Sequence, residues 1–552
     1  MRISTLAVAA ALIGINCVSY FIFPGHSYLT SDTQIYVPML ERLWDASLLN
    51  KDLIATNPHL SFTIYDELAL GARKVSGLGF AQVLPAMHFI FRLAGMYGIW
   101  LIFRAWTFSS LVSLFGVGCF ALGAFVHGPA VMVWELEPVP RAMALPLLWL
   151  AIGWIASDRP KLGAVAAGLA LLLHPPTVWP VWLILAIMIA KPPQENFRKY
   201  RWHVAAILTS AVLLLVVLSR LQAGEREKQQ LFLLLDPSLE SLQRMRASYN
   251  WIDMWFVSLW KKYLLLFVAA LWSARGLGVL APRSLSWFQG GLTLLGTLSL
   301  GISYVVLEWG KWALGPQLQF GRALVFVISW AILGSIAMGI RAAQKRRYLL
   351  SLFWFYLAYS VPVQTQTWEM FTPWVPTEPM AKKMALVLGL AILALVAMLV
   401  PRKSPTAIVL VGVAVLVPFW ALPNVLGLTN HPKLYSADIT ALYTWARSTP
   451  ADSVFHFPDA GQALFPGVFR GESARAIYVD WKSGGQVNFH KKLADEWWRR
   501  WQSSLAKPYN GETTLAEYQS LPCDYVVLKS NHKRIGLVPV YENSTYLVYS
   551  TR

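Results

Sequence analysis

The chain has 552 residues, of which 56% are hydrophobic and 14% charged, with a mean hydropathy of +0.47. Soluble domains carry about 25% charged residues, so the composition excludes an ordinary soluble globule and indicates a polytopic membrane protein. The net charge of +18 resides largely in short loops between apolar runs, as at Arg341, Lys345, Arg346 and Arg347, which is the pattern of membrane topology rather than of a nucleic-acid groove.

The opening run MRISTLAVAAALIGINCVSYFIF places Arg2 ahead of an apolar core, without a small-residue cleavage site. It reads as an uncleaved first span with a cytoplasmic N-terminus. A span needs about 17–25 apolar residues. On that measure, further spans are expected at 86–103, 108–126, 141–156, 162–174, 176–190, 203–221, 256–272, 287–305, 322–340, 348–363, 384–400 and 407–425. The expected fold is a polytopic α-helical membrane protein of about 13 transmembrane helices. Basic residues in the short loops put those loops inside, and the long loops, beginning with 24–85, fall outside. Cys17, Cys119 and Cys523 are far apart, which gives neither a disulfide framework nor a metal knuckle.

The first outer loop carries Asp32 in Thr30-Ser31-Asp32, ahead of an amphipathic run with apolar points at Ile35, Leu40, Leu43 and Trp44. Ser and Asp are preferred helix N-caps. A carboxylate held at a helix start on the outer face is also placed to act as a base. In the next outer loop Glu135 and Glu137 alternate with apolar residues, and Arg141 opens the following span. In an extended segment the two carboxylates would point the same way, as a shared cation or a phosphate-bound metal requires.

The segments 162–174 and 176–190 are too short to cross, at about 20 Å for thirteen residues against about 30 Å of hydrocarbon. They are expected to turn within the membrane around LLLHPPTVWP, below a recessed outward cavity with His174 at its floor. Farther on, Gln317, Gln319 and Arg322 interrupt an apolar stretch at the outer end of a span. The arginine there either snorkels to the interface or pairs with phosphate. Arg92 is a further charge embedded in a span and, by that position, a functional candidate.

From about residue 430 the character changes. YSADITALYTWAR and VNFHKKLADEWWRRWQSSLAK read as helices, while SVFHF, SARAIYVDWKS, PCDYVVLKS and PVYENSTYLVYS read as strands. The chain thus divides into a transmembrane domain, 1–429, and a small extracytoplasmic α/β domain, 430–552, with no phosphate loop, nucleophile elbow or metal spacing.

Several of these features together resemble the GT-C superfamily of integral membrane glycosyltransferases. They are Asp32 in a long first outer loop, Glu135-Leu136-Glu137 where the family commonly has Asp-x-Asp, the short paired helices of GLALLLHPPTVWPVWLILA, and an outside C-terminal domain. The WWD-type signature of the oligosaccharyltransferases is absent. The resemblance implies inverting transfer of a sugar from a polyprenyl-phosphate carrier to a glycan, lipid or protein acceptor outside the membrane. Asp32 would be the catalytic base, and Arg322, Arg141, His174 and Gln319 would bind the donor phosphate. A divalent cation, magnesium or manganese, would be held by Glu135 and Glu137. The other readings are a lipid or glycolipid flippase and a non-catalytic envelope scaffold.

Overall fold

The computed structural model describes residues 4–58, 63–126, 128–129, 131–221, 233–360, 433–488, 491–506, 509, 511, 514–534 and 536–552. The expected spans 384–400 and 407–425, and the outer loop between 363 and 384, lie outside the described residues.

Each of the first eleven expected spans coincides with a helix. After α1 (Thr5–Phe21), the first outer loop folds into α2 (Thr33–Trp44) and α3 (Tyr65–Ser76). The apolar helices α4 (Phe80–Ala105), α5 (Ser110–Ala121), α6 (Pro140–Ala156), α7 (Pro160–Leu173), α8 (Pro175–Ala190) and α9 (Glu195–Leu221) follow, and between α5 and α6 the short strands β1 (Phe125–Val126) and β2 (Val131–Met132) pair antiparallel. Next come α10 (Pro237–Arg246), α11 (Val257–Leu277), α12 (Arg283–Tyr304), the one-turn α13 (Gly315–Leu318), α14 (Leu324–Gln344) and α15 (Tyr348–Ser360). Among the described residues, four helical stretches are long and apolar enough to cross a membrane: 80–105, 195–221, 283–309 and 315–344. The chain is an integral membrane protein.

The helices share one continuous apolar core. One close seam lies between α4 and α6, where a Cβ on Gly95 would lie 2.7 Å from Cβ of Pro146. Small residues permit this close approach, which gains packing where lipid offers no hydrophobic contrast.

α7 and α8 have 14 and 16 residues and meet at His174 alone. They are about 21 and 24 Å long, short of a full crossing. Carbonyls at the end of α7 take their partners from the first outer loop: Ile64 N–H donates to Leu172 O (2.8 Å) and Thr63 Oγ1 to Leu173 O (2.7 Å). Backbone turning at depth is tolerated when other protein groups satisfy it in this way.

In the C-terminal region, α16 (Ala437–Ala446), α17 (Phe465–Ser473), α18 (Lys491–Ser504) and α19 (Leu515–Gln519) surround a five-stranded sheet. Its strands are β3 (Val454–His456), β4 (Ala476–Ile477), β5 (Tyr525–Lys529), β6 (Tyr541–Glu542) and β7 (Tyr546–Ser550), in the order β4-β3-β5-β7-β6. β3 pairs in parallel with β4 and β5, while β7 runs antiparallel to β5 and β6. Side chains alternate along β5. Val526 and Leu528 pack with Trp497 and Trp501 of α18, and Val527 packs with Ile439 and Phe469 on the other face. β6 and β7 form a hairpin that turns at Asn543-Ser544-Thr545.

This region is docked on the first outer loop through buried charge. Arg470 of α17 pairs with Asp480 (3.0 Å) and lies 3.8 Å from Asp52 of the loop, and it donates to Gln34 O of α2 at 3.2 Å.

Candidate functional site

The site assembles where the start of α2, the start of α6, the turn before α14 and the C-terminal region converge. Asp32 precedes α2, but its side chain makes no capping bond. Both of its oxygens face cations instead: Oδ2 meets Arg141 Nη1 at 2.9 Å and Oδ1 meets Lys482 Nζ at 2.7 Å. Burial acts to raise the Asp32 carboxyl, but Lys482 and Arg141 outweigh it and hold the group well below the usual carboxylate range. Asp32 is therefore an anion at any physiological pH.

The cap on α2 comes from another element. Glu137 accepts from the amides of Thr30 (2.9 Å), Ser31 (2.7 Å), Asp32 (2.5 Å) and Thr33 (3.3 Å), and from the hydroxyls of Thr30 and Thr33. A helix N-terminus presents unpaired N–H groups and partial positive charge, and Glu137 meets that demand across more than a hundred residues of sequence. The consequence is that Asp32's own carboxylate is left free to face the site. Glu137→Gln would turn an amide N–H₂ toward these donors. It is expected to destabilise the 27–44 segment by about 1–3 kcal/mol, seen as faster proteolysis there; unchanged protection would show that the cap is dispensable.

Glu135 has a different task. Its carboxylate takes a two-point contact from Arg141 (Nε 2.8 Å, Nη2 3.2 Å) and accepts from Met132 N at 3.1 Å. Arg141 thereby bridges Glu135 and Asp32. The expectation that Glu135 and Glu137 point the same way fails because the strands here end at Met132 and the chain turns through 133–139. The two carboxylates face different partners, their oxygens are taken by Arg141 and by the N–H and O–H donors of residues 30–33, and they do not fit a divalent cation. Among the described residues no cluster of three metal-ligating side chains occurs.

Glu135, Arg141 and Arg322 line one small cleft with Val131, Met132, Leu145, Thr177 and Val325. Its free volume is about 20 Å³, room for about one water. Arg322 leans over the Tyr249 ring (5.9 Å), its Nε is buried without a hydrogen-bond partner, and it forms no ion pair among the described residues. Gln319 sits in the left-handed region (φ +47°), buried, and its carbonyl accepts from Arg322 N at 2.9 Å. It shapes the turn that presents Arg322. His174 stands behind the cleft: Thr177 lines the wall, and His174 Nδ1 is 2.8 Å from Thr177 Oγ1. His174 is thus tied to the cleft wall through Thr177.

Arg92 is elsewhere. Fully buried, it donates to Gly25 O (3.2 Å) and Ser19 O (3.3 Å) and braces the exit of the chain from α1.

Lys482 was not legible as a site residue. It lies 450 positions from Asp32, in Trp481-Lys482-Ser483-Gly484-Gly485, where nothing in the local pattern distinguishes it from a surface lysine. The only signal was two glycines after a Trp-Lys-Ser run, which mark a tight turn.

Residues 437–503 match a family model described as a domain of unknown function (DUF6798). No curated protein matches the chain. Among solved structures the chain is similar to ArnT from Cupriavidus metallidurans, with 12% identity, 99% of this chain and 97% of that one covered, and a TM-score of 0.47. It is also similar to the oligosaccharyltransferase of Archaeoglobus fulgidus (12% identity, 95% and 68% covered, TM-score 0.40). A third likeness is to the arabinofuranosyltransferase AftD from Mycobacteria (11% identity, 100% and 42% covered, TM-score 0.43). The likenesses are distant, and the chemistry rests on the residues of the cleft.

Proposed function

We propose that the protein is a glycosyltransferase that moves a sugar from a polyprenyl-phosphate carrier to an acceptor on the extracytoplasmic side, with inversion at the anomeric carbon and Asp32 as the base. The observation that carries this reading is the pairing of opposites at one cleft. An anionic Asp32 is fixed by two cations, one of which, Arg141, lines the cleft with Glu135 and Arg322, and Arg322 forms no ion pair among the described residues. A buried guanidinium without a carboxylate suits a phosphate, and the apolar helices around it suit a lipid tail.

In the proposed step the acceptor hydroxyl hydrogen-bonds to Asp32. Its oxygen attacks the anomeric carbon while the carbon–phosphate oxygen bond breaks and the electron pair leaves with the phosphate. The proton passes to Asp32 and then to water. A carboxylate held this far down is a weak base, so proton transfer comes late, once the new bond has made the hydroxyl acidic. Arg322 stabilises the leaving phosphate. Ligand clefts enclose about 300–1,000 Å³, so donor entry must widen the present cleft by moving side chains such as Met132 and Leu145.

The test is transfer of labelled sugar from polyprenyl-phosphate sugars by the purified protein in vesicles. Asp32→Asn should lower transfer by at least about 100-fold while the protein still melts cooperatively. Undiminished transfer by that variant would remove Asp32 from the mechanism, and no transfer by wild type from any such donor would remove the reading altogether.

A further inference from the structure

We propose that Lys482, carried by the C-terminal domain, is a positioning residue for Asp32, so that this domain completes the catalytic site rather than merely standing beside it. The inference rests on Asp32 being the base and adds what holds it in place.

Lys482 Nζ donates to Asp32 Oδ1 at 2.7 Å and to Ser31 Oγ at 2.9 Å. A lysine normally holds a four-carbon stem in many rotamers, and an exposed pair of this kind contributes little. This one is only 11% exposed, and the turn that bears it is fixed from several sides. Asp480 Oδ1 accepts from Ser483 N (3.0 Å), and Asp480 itself is paired with the buried Arg470. Trp497 Nε1 donates to Asp480 O at 2.9 Å. Arg246, from α10, donates to Trp481 O at 2.7 Å and covers the Trp481 ring. On the other side a Cβ on Gly485 would come within 2.6 Å of Ile35 in α2, so the turn rests directly on the helix that Asp32 precedes. These restraints fix the turn from which Lys482 projects, and its ammonium is held by Asp32 and Ser31.

Asp32 is faced by charged and titratable groups from every element around it. Lys482 and Arg141 are in contact, Arg322, Tyr36 and Arg246 act at longer range, and the Asp32 amide donates to Glu137. Arg141 also serves Glu135, whereas Lys482 meets no other carboxylate among the described residues. Removing Lys482 therefore changes Asp32 with little disturbance of the rest. An opposite charge in contact lowers a carboxyl by about 1–3 pH units, and its loss shifts the group upward by a comparable amount.

The experiment measures transfer between pH 4.5 and 7.5, from the polyprenyl-phosphate sugar that wild type turns over best, for wild type, Lys482→Met and Lys482→Arg. A base must be ionised, so a raised carboxyl loses activity first at low pH. In Lys482→Met the ratio of transfer at pH 4.5 to that at pH 7.5 should fall severalfold below wild type, and Lys482→Arg should restore it. A melting-temperature cycle of Asp32→Asn, Lys482→Met and the double variant should show non-additivity, which reads the contact without turnover.

Additive melting shifts would overturn the proposal, and so would a uniform loss of transfer with an unchanged pH ratio, which is what a purely structural lysine produces. If Asp32→Asn itself transfers normally, the base reading fails and the lysine's role fails with it. If Asp32→Asn is dead and the Lys482→Met ratio is unmoved, only the lysine's role is lost.

Discussion

Arg141→Met is expected to abolish transfer and to cost about 3 kcal/mol of stability, measured as a lower melting temperature in detergent. The guanidinium divides its three nitrogens between two carboxylates: Nε and Nη2 to Glu135, and Nη1 to Asp32. Its side chain is 12% exposed and that of Glu135 is 7%, so removing the shared cation strands charge in a largely dry place. The cost is set mainly by Glu135, because Asp32 is 27% exposed and keeps Lys482. Arg141→Lys should recover much less than half of the transfer, since an ammonium is a point charge and cannot span both acids in the planar geometry a guanidinium uses. Full recovery by the lysine variant would mean that net charge, not geometry, is what the site needs at this position.

The legible part of this protein was the part written in local periodicity and composition. Eleven spans, the short α7–α8 pair and the C-terminal strands all follow from apolar run length, basic loops and two-residue alternation, because each is decided within some twenty residues. The candidate acids and bases were also visible, as polar residues in places where an apolar stretch gives them no cause. Their roles were not. Glu137 reads as one of a pair with Glu135, yet it serves the amides of Thr30 to Thr33, because the loop bends after Met132 and breaks the alternation that would have aligned the two side chains. Asp32 reads as an N-cap, yet Glu137 takes that task and leaves it free. Lys482 and Arg470 carry no local mark at all, since their partners lie hundreds of residues away and only the docked fold brings them together.

Arg470→Met should be the most destabilising single change in the C-terminal region, at about 3–5 kcal/mol. Arg470, Asp52 and Asp480 have side chains no more than 3% exposed, so deleting the cation leaves two buried carboxylates without an ion-pair partner among the described residues. Burial pushes the Asp480 carboxyl up, but Arg470 and Ser483 hold it below its ordinary value. A carboxyl lowered in the folded state contributes stability that is present above the ordinary carboxylate range and is lost as pH falls through the folded value. Without Arg470 the Ser483 hydrogen bonds are left to oppose burial and Asp480 takes up its proton at a higher pH; acid then relieves the buried charge, so the deficit of the variant relative to wild type should shrink as pH falls. Melting followed from pH 7 down to pH 4 reads this directly, and identical profiles would show that the pair is not what docks the region. The uncompensated charge can be separated from the lost contact by adding Asp52→Asn and Asp480→Asn to Arg470→Met. Replacing a whole buried ionic group is often nearly neutral where breaking it is not, so the triple variant should melt well above the single one. Because Asp480 opens the turn that ends in Lys482, the single variant should also lose transfer out of proportion to its distance from the cleft. The triple variant should regain transfer only as far as it restores that turn.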